Sequence, residues 1–164
     1  GAATASGYQG AATASGTRGA ATASGTRGAA TASGDQGAAT AFGYQGAATA
    51  SGTRGAATAS GYQGAATASG TRGAATASGT RGAATASGNW AIAAAFGIDG
   101  RAMADESGAI VLAERIEHWG HDDHGKLLAV WAGMVGQDGI KPNTFYTLKD
   151  GKPVEVTDFV GSDE

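Results

Sequence analysis

His118, His121 and His124 stand at three-residue spacing around Asp122 and Asp123, five side chains of the kinds that ligate divalent metals. The same residues, flanked by Gly120 and Gly125, also suit a polar hairpin loop, and the chain has no cysteine to complete a thiolate site. No metal is assigned on this spacing, and the three histidines stand only as a weak candidate. Elsewhere no nucleophile, base and orienting group can be paired, so no catalytic residue and no cofactor is expected.

A second set of candidates lies in the first ninety residues. Arg18, Arg27, Arg54, Arg72 and Arg81 face a single acid, Asp35, a net charge of +4, whereas residues 91 to 164 hold six basic and thirteen acidic side chains, a net of −7. Arginines beside Tyr8, Tyr44 and Tyr62 could follow a polyanion while the rings stack on bases. The acidic second half argues against nucleic acid. Tyr8, Tyr44, Tyr62, Arg18, Arg54 and Arg72 are instead candidates for holding a surface polymer along an edge. The charge split could also align neighbouring molecules head to tail, in salt only at short range.

A third set is more regular. Thr4, Thr13, Thr22, Thr31, Thr40, Thr49, Thr58, Thr67, Thr76 and Thr85 recur every nine residues, each followed two residues later by Ser except where Phe42 intervenes. On strands these become two flat ladders with a grid of roughly 4.7 by 6.8 Å, similar to the oxygen spacing on faces of ice. Such ladders resemble those of repetitive antifreeze proteins, although those more often show Thr-x-Thr on one face. Thr and Ser also simply suit exposed strand positions.

The elements that position these residues follow from the period. Residues 1 to 90 are ten copies of Gly-Ala-Ala-Thr-Ala-Ser-Gly-x-x, allowing Phe42 in one Ser position, with no insertion or deletion. They contain no Leu, Ile, Val or Met, and their only large apolar side chains are Tyr8, Phe42, Tyr44, Tyr62 and Trp90, so no conventional core forms there. Two glycines in every nine residues, and two and a half helical turns per unit, oppose a helix. A flexible linker does not require a strict period, and a polyproline bundle would want Gly at every third position.

A strand of five residues bounded by glycines fits best. Alternation turns Ala3 and Ala5 one way and Ala2, Thr4 and Ser6 the other, so the alanine pair faces inward. Gly7-Tyr8-Gln9-Gly10 makes the corner, with glycines taking positive φ. Two units close a flattened coil of eighteen residues, so the fold class is all-β, a β-solenoid of the flattened β-roll kind. Its corners sort into two edges, one carrying Tyr8, Thr26, Tyr44, Tyr62 and Thr80, the other Thr17, Asp35, Thr53, Thr71 and Asn89. Alanine methyls alone offset little of the backbone entropy of folding, so burial against another copy, or capping, is expected to supply the rest.

Residues 1–99 thus read as the solenoid, the last nine being a degenerate eleventh unit; residues 100–160 read as a C-terminal β cap and 161–164 as an acidic tail. Within the cap, Ala109 to Trp119 and Lys126 to Val135 predict one hairpin. Phe145 to Leu148 and Pro153 to Val156 predict a second, turning on Asp150-Gly151. The cap is expected to cover the unpaired groups of the last coil. No apolar run approaches the roughly twenty residues of a spanning helix, so no membrane partner is expected. The chain begins on a repeat without a Met, which reads as a fragment or processed form.

The nonapeptide array, followed by Ile110-Val111-Leu112-Ala113-Glu114, Ile140 to Leu148 and Gly151-Lys152-Pro153-Val154-Glu155-Val156, resembles uncharacterised bacterial and phage repeat proteins. That resemblance implies a β-solenoid with a C-terminal β cap and a further N-terminal domain, and carries no activity. A second similarity is to the β-roll heads of trimeric autotransporter adhesins, of which only the stacking principle carries over. The expectation is a non-enzymatic, self-associating structural or binding module, phage-associated or extracellular, with ice binding and adhesive or polyanion binding as alternatives.

Overall fold

The glycine-bounded alanine segments all become strands in the computed structural model, which describes residues 1–157 and contains no helix among them. The first eight strands are β1 (Ala2–Ser6), β2 (Ala11–Ala14), β3 (Ala20–Ser24), β4 (Ala29–Ala32), β5 (Ala38–Phe42), β6 (Ala47–Ala50), β7 (Ala56–Ser60) and β8 (Ala65–Ala68). They are followed by β9 (Ala74–Ala77), β10 (Ala83–Ala86), β11 (Ile92–Ala95), β12 (Arg101–Ala104), β13 (Ala109–Arg115), β14 (Leu127–Met134), β15 (Tyr146–Lys149) and β16 (Lys152–Glu155).

Up to β13, odd and even strands separate into two sheets, which β14 and the β15–β16 pair complete to eight strands each, ordered β1-β3-β5-β7-β9-β11-β13-β14 and β16-β15-β12-β10-β8-β6-β4-β2. Pairing within the array is parallel and in register, Thr4 beside Thr22 and Thr13 beside Thr31, eighteen residues apart. The chain is therefore a β-solenoid of about six turns. The acidic tail expected at residues 161–164 lies outside the described residues.

Packing between the sheets follows the alternation. Ala21, Ala23, Ala39, Ala41, Ala57 and Ala59 of the first sheet are at most 1% exposed, as are Ala30, Ala32, Ala48, Ala50, Ala66 and Ala68 of the second. Alanine methyls are the whole filling between the sheets here, which brings the two backbones close. Stacking is equally tight at the seventh position of the unit. A Cβ on Gly34, Gly52 or Gly61 would overlap the carbonyl oxygen of Gly16, Gly34 or Gly43 in the preceding coil.

The corners depart from the expectation that glycine carries the positive φ. Gly7, Gly16, Gly25 and Gly43 do so, but further along the stack the burden falls on the ninth residue, with Gln63, Arg72, Arg81, Trp90 and Asp99 at φ of 51 to 64°. The corner peptide has turned over. Arg27, Gln45 and Arg54 donate their backbone N–H to the preceding coil, at Tyr8, Thr26 and Asp35, whereas Gln63, Arg72 and Arg81 donate to the following coil, at Thr80, Asn89 and Ile98. At the level where the direction switches, the Tyr44 and Tyr62 rings stack with centroids 4.9 Å apart. Gln45 Nε2 donates to Gln63 Oε1 there at 3.3 Å, so side chains link a level at which the corner amides point apart.

The parallel coil also continues past residue 99. β12 pairs in parallel with β10, and β13 pairs in parallel with β11 through a step of seventeen residues, Ile92 to Ala109. Gly100 to Ser107 is thus a twelfth unit one residue short, whose Arg101 and Met103 obscure the repeat. Both predicted hairpins form, although the first strand of the first one ends at Arg115, before Trp119. They extend the sheets sideways: β14 lies antiparallel on β13, and β15 meets β12 only at Ala102 and Tyr146. The last edges are thereby moved outward to β14 and β16, not removed.

Larger side chains replace alanine here. Ile110, Leu112, Val135, Ile140, Tyr146 and Leu148 are all buried, and the Tyr146 hydroxyl accepts the Lys141 backbone N–H at 3.0 Å. Glu114 fastens the second hairpin by accepting the N–H groups of Asp150 (2.9 Å) and Gly151 (2.8 Å). Those two residues have φ of 51 and 70°, the positive pair that the Asp-Gly turn demands. Lys141 donates to Glu155 at 2.9 Å, and this bond raises its ammonium above the ordinary lysine range.

Candidate functional site

Because the strands stack without slipping, chemically identical side chains line up on the outside. On the first sheet Thr4, Thr22, Thr40, Thr58 and Thr76 form one column that runs on into Ala94 and Val111. The Ser column beside it is broken at Phe42, 47% exposed, which lies between Ser24 and Ser60. On the second sheet Thr13, Thr31, Thr49, Thr67 and Thr85 run without interruption until Met103. Ser15, Ser33, Ser51, Ser69 and Ser87 are all exposed beside them. Backbone bonds from Ser33, Ser51, Ser69 and Ser87 to Ala14, Ala32, Ala50 and Ala68 keep that column in step. The second sheet therefore presents the more regular face.

The edges divide the tyrosines from most of the arginines. Tyr8, Tyr44 and Tyr62 share one edge, where the cations beside them are Arg27, 6.0 Å from the Tyr8 ring centre, and Arg81, 5.9 Å from that of Tyr62. Arg81 also donates to the Tyr62 hydroxyl at 2.9 Å. Arg18, Arg54 and Arg72 stand on the other edge with Asp35, and Arg72 covers Trp90. The six edge candidates are thus not one site, since an eighteen-residue coil sends adjacent nine-residue units to opposite edges.

The three histidines do come together, but in contacts with each other. His118 and His121 rings stack at 3.8 Å, His124 Nδ1 accepts the His118 backbone N–H at 3.1 Å, and the Trp119 ring lies over His124. His118 Nδ1 is 3.3 Å from Asp123 Oδ1. Among the described residues no three His, Asp or Glu side chains converge as a metal-binding group. The spacing builds a compact loop.

One groove was not visible from the sequence, because the second hairpin that forms its wall meets the array only through distant pairing. It has a volume of about 690 Å³ and is lined by Arg81, Arg101 and Lys149 together with Asp99 and Glu155. Arg81 lies 4.0 Å from Asp99 and Arg101 covers the Phe145 ring, so its charges are mixed and partly engaged. No helix among the described residues is long and apolar enough to cross a membrane.

No protein-family model, curated protein or solved structure matches this chain. What the geometry defines is a repeat-built β-solenoid carrying two β-hairpins at its C-terminal end.

Proposed function

We propose that the chain is a non-enzymatic structural module, a stack of coils that displays repeated surface columns and associates with further copies of itself. The observation that carries this reading is the arrangement of polar side chains in parallel columns on two flat faces, rather than converging on one point. A core of alanine methyls gives little burial per residue, which favours covering outer surface with another chain. Sedimentation equilibrium over a concentration series is expected to show a reversible rise in mass; a constant monomer mass throughout would overturn it.

The unbroken Thr and Ser columns of the second sheet favour one further reading, ice binding. Under it the intact chain shows thermal hysteresis and shapes ice crystals. Thr49→Tyr, in the middle of the second-sheet face, abolishes both with its circular dichroism unchanged, while Thr40→Tyr on the first sheet retains them. Absence of hysteresis in the folded chain removes this reading and leaves the structural one standing.

A further inference from the structure

A trans peptide directs its C=O opposite to its N–H. In the second and third coils the corner N–H groups reach back to the carbonyls of Tyr8, Thr17, Thr26 and Asp35, so the carbonyls of those corners point forward. From Gln63 onward the N–H groups reach forward, to Thr80, Asn89 and Ile98, so the carbonyls point back. Where the two arrangements meet, the Tyr44 and Tyr62 carbonyls face each other on one edge and those of Thr53 and Thr71 on the other. None of these four accepts a backbone N–H among the described residues.

The gap decides what can lie between them. The Tyr44 and Tyr62 rings are 4.9 Å apart, so this level keeps a strand spacing of about 4.8 Å. Two C=O bonds of about 1.2 Å directed into that gap, splayed toward solvent, leave roughly 2.5 to 3.5 Å between the oxygens. Two hydrogen bonds through a single water span about 4.5 Å. Oxygens at right angles on one hard cation, each about 2.4 Å from it, lie about 3.4 Å apart. A cation fits this gap and a single bridging water does not.

The two edges differ in the charge they supply. Thr53 and Thr71 are followed by Arg54 and Arg72, which bring positive charge to that edge, whereas Tyr44 and Tyr62 are followed by the neutral Gln45 and Gln63. Gln45 Nε2 donates to Gln63 Oε1, which leaves Gln45 Oε1 as a third oxygen beside the facing carbonyls. Tyr44, Gln45 and Gln63 are exposed, so an ion reaches this edge from solvent. The corners Gly43 to Gly46 and Gly61 to Gly64 hold no acid. A set of neutral oxygens suits a singly charged ion, since tight divalent sites need carboxylates.

We propose that the Tyr44 and Tyr62 carbonyls, with Gln45 Oε1, bind a sodium or potassium ion that joins the two parts of the array where their corner amides diverge. Melting of the intact chain in sodium or potassium chloride at about 0.1 M is expected to give a Tm about 3 °C above that in tetramethylammonium chloride, whose cation is too bulky to reach both oxygens. Titration with either alkali ion is expected to move the carbonyl carbon resonances of Tyr44 and Tyr62. Those of Tyr8 and Thr26, which already accept N–H groups, stay in place. Gln63→Arg sets a guanidinium beside Tyr44 as Arg81 lies beside Tyr62, on a positive φ that Arg72 and Arg81 also adopt. It is expected to remove the dependence on the cation, while Gln9→Arg, on the same edge of the first coil, keeps it. Equal melting in all three salts, Tyr44 and Tyr62 resonances that do not move, or a dependence that persists in folded Gln63→Arg would each overturn the site.

Discussion

Gly52→Ala is expected to destabilise the chain by at least about 3 kcal/mol, lowering Tm by about 10 °C, whereas Gly55→Ala, three residues on, costs within about 1 kcal/mol. Both glycines are buried and neither has a positive φ, so conformational freedom does not distinguish them. The surroundings do. A methyl on Gly52 would overlap the Gly34 carbonyl oxygen of the coil before it, and backbone held by the ladders on either side cannot withdraw. A methyl on Gly55 would meet the Ala50 Cβ at 3.0 Å and the Gly52 oxygen at 3.2 Å, contacts that a shift of a few tenths of an ångström relieves. The chain itself makes the second substitution at the equivalent position, where Ala91 sits fully buried. Thermal unfolding followed by calorimetry distinguishes the pair, and equal Tm values would contradict the stacking described here.

Ala59→Leu is expected to be as damaging, again about 3 kcal/mol or more. Ala59 is 0% exposed, with Ala41 and Ala77 directly beside it in its own sheet. Three added carbons must enter a layer only one methyl deep on each side. Spreading the sheets there strains the neighbouring coils as well, since each coil is held by the ones next to it. Thr58→Leu, facing outward one residue away, is expected to change stability by less than about 0.5 kcal/mol. Denaturant unfolding of the two variants checks the contrast. Similar midpoints for both would mean that the alanine columns do not face each other across a closed interior.

Most of the array was legible because the period leaves few alternatives. Glycine at positions one and seven bounds a strand, alternation puts Ala3 and Ala5 and their equivalents inside, and two units per coil place Tyr44 on Tyr62. The hairpins were legible from apolar runs around His121 to His124 and around Asp150-Gly151. What escaped was set by contacts between coils. At Gly34, Gly52 and Gly61 the seventh glycine is required by the carbonyl of the coil before it and not by its own φ, which no single unit reveals. The turned-over corner peptides from Gln63 onward have no counterpart in the repeat, whose residues are much the same before and after that level. Continuation through Gly100 to Ser107 was hidden by one missing residue, and the groove beside Arg81 and Lys149 depends on where the second hairpin docks. As for the candidate site, the Thr columns could be derived, but which face carries the unbroken Ser column follows only once Phe42 is assigned to the first sheet.

Pulsed dipolar spectroscopy on spin labels at Thr13→Cys and Thr85→Cys tests the stacked eighteen-residue coil most directly, since the chain has no cysteine of its own. Those positions are the ends of one five-residue column, four coils apart. A narrow distribution near 19 Å, four strand spacings of about 4.8 Å, is the predicted result. A broad distribution centred well beyond that distance would contradict the stack, and with it the surface columns on which the proposed function rests.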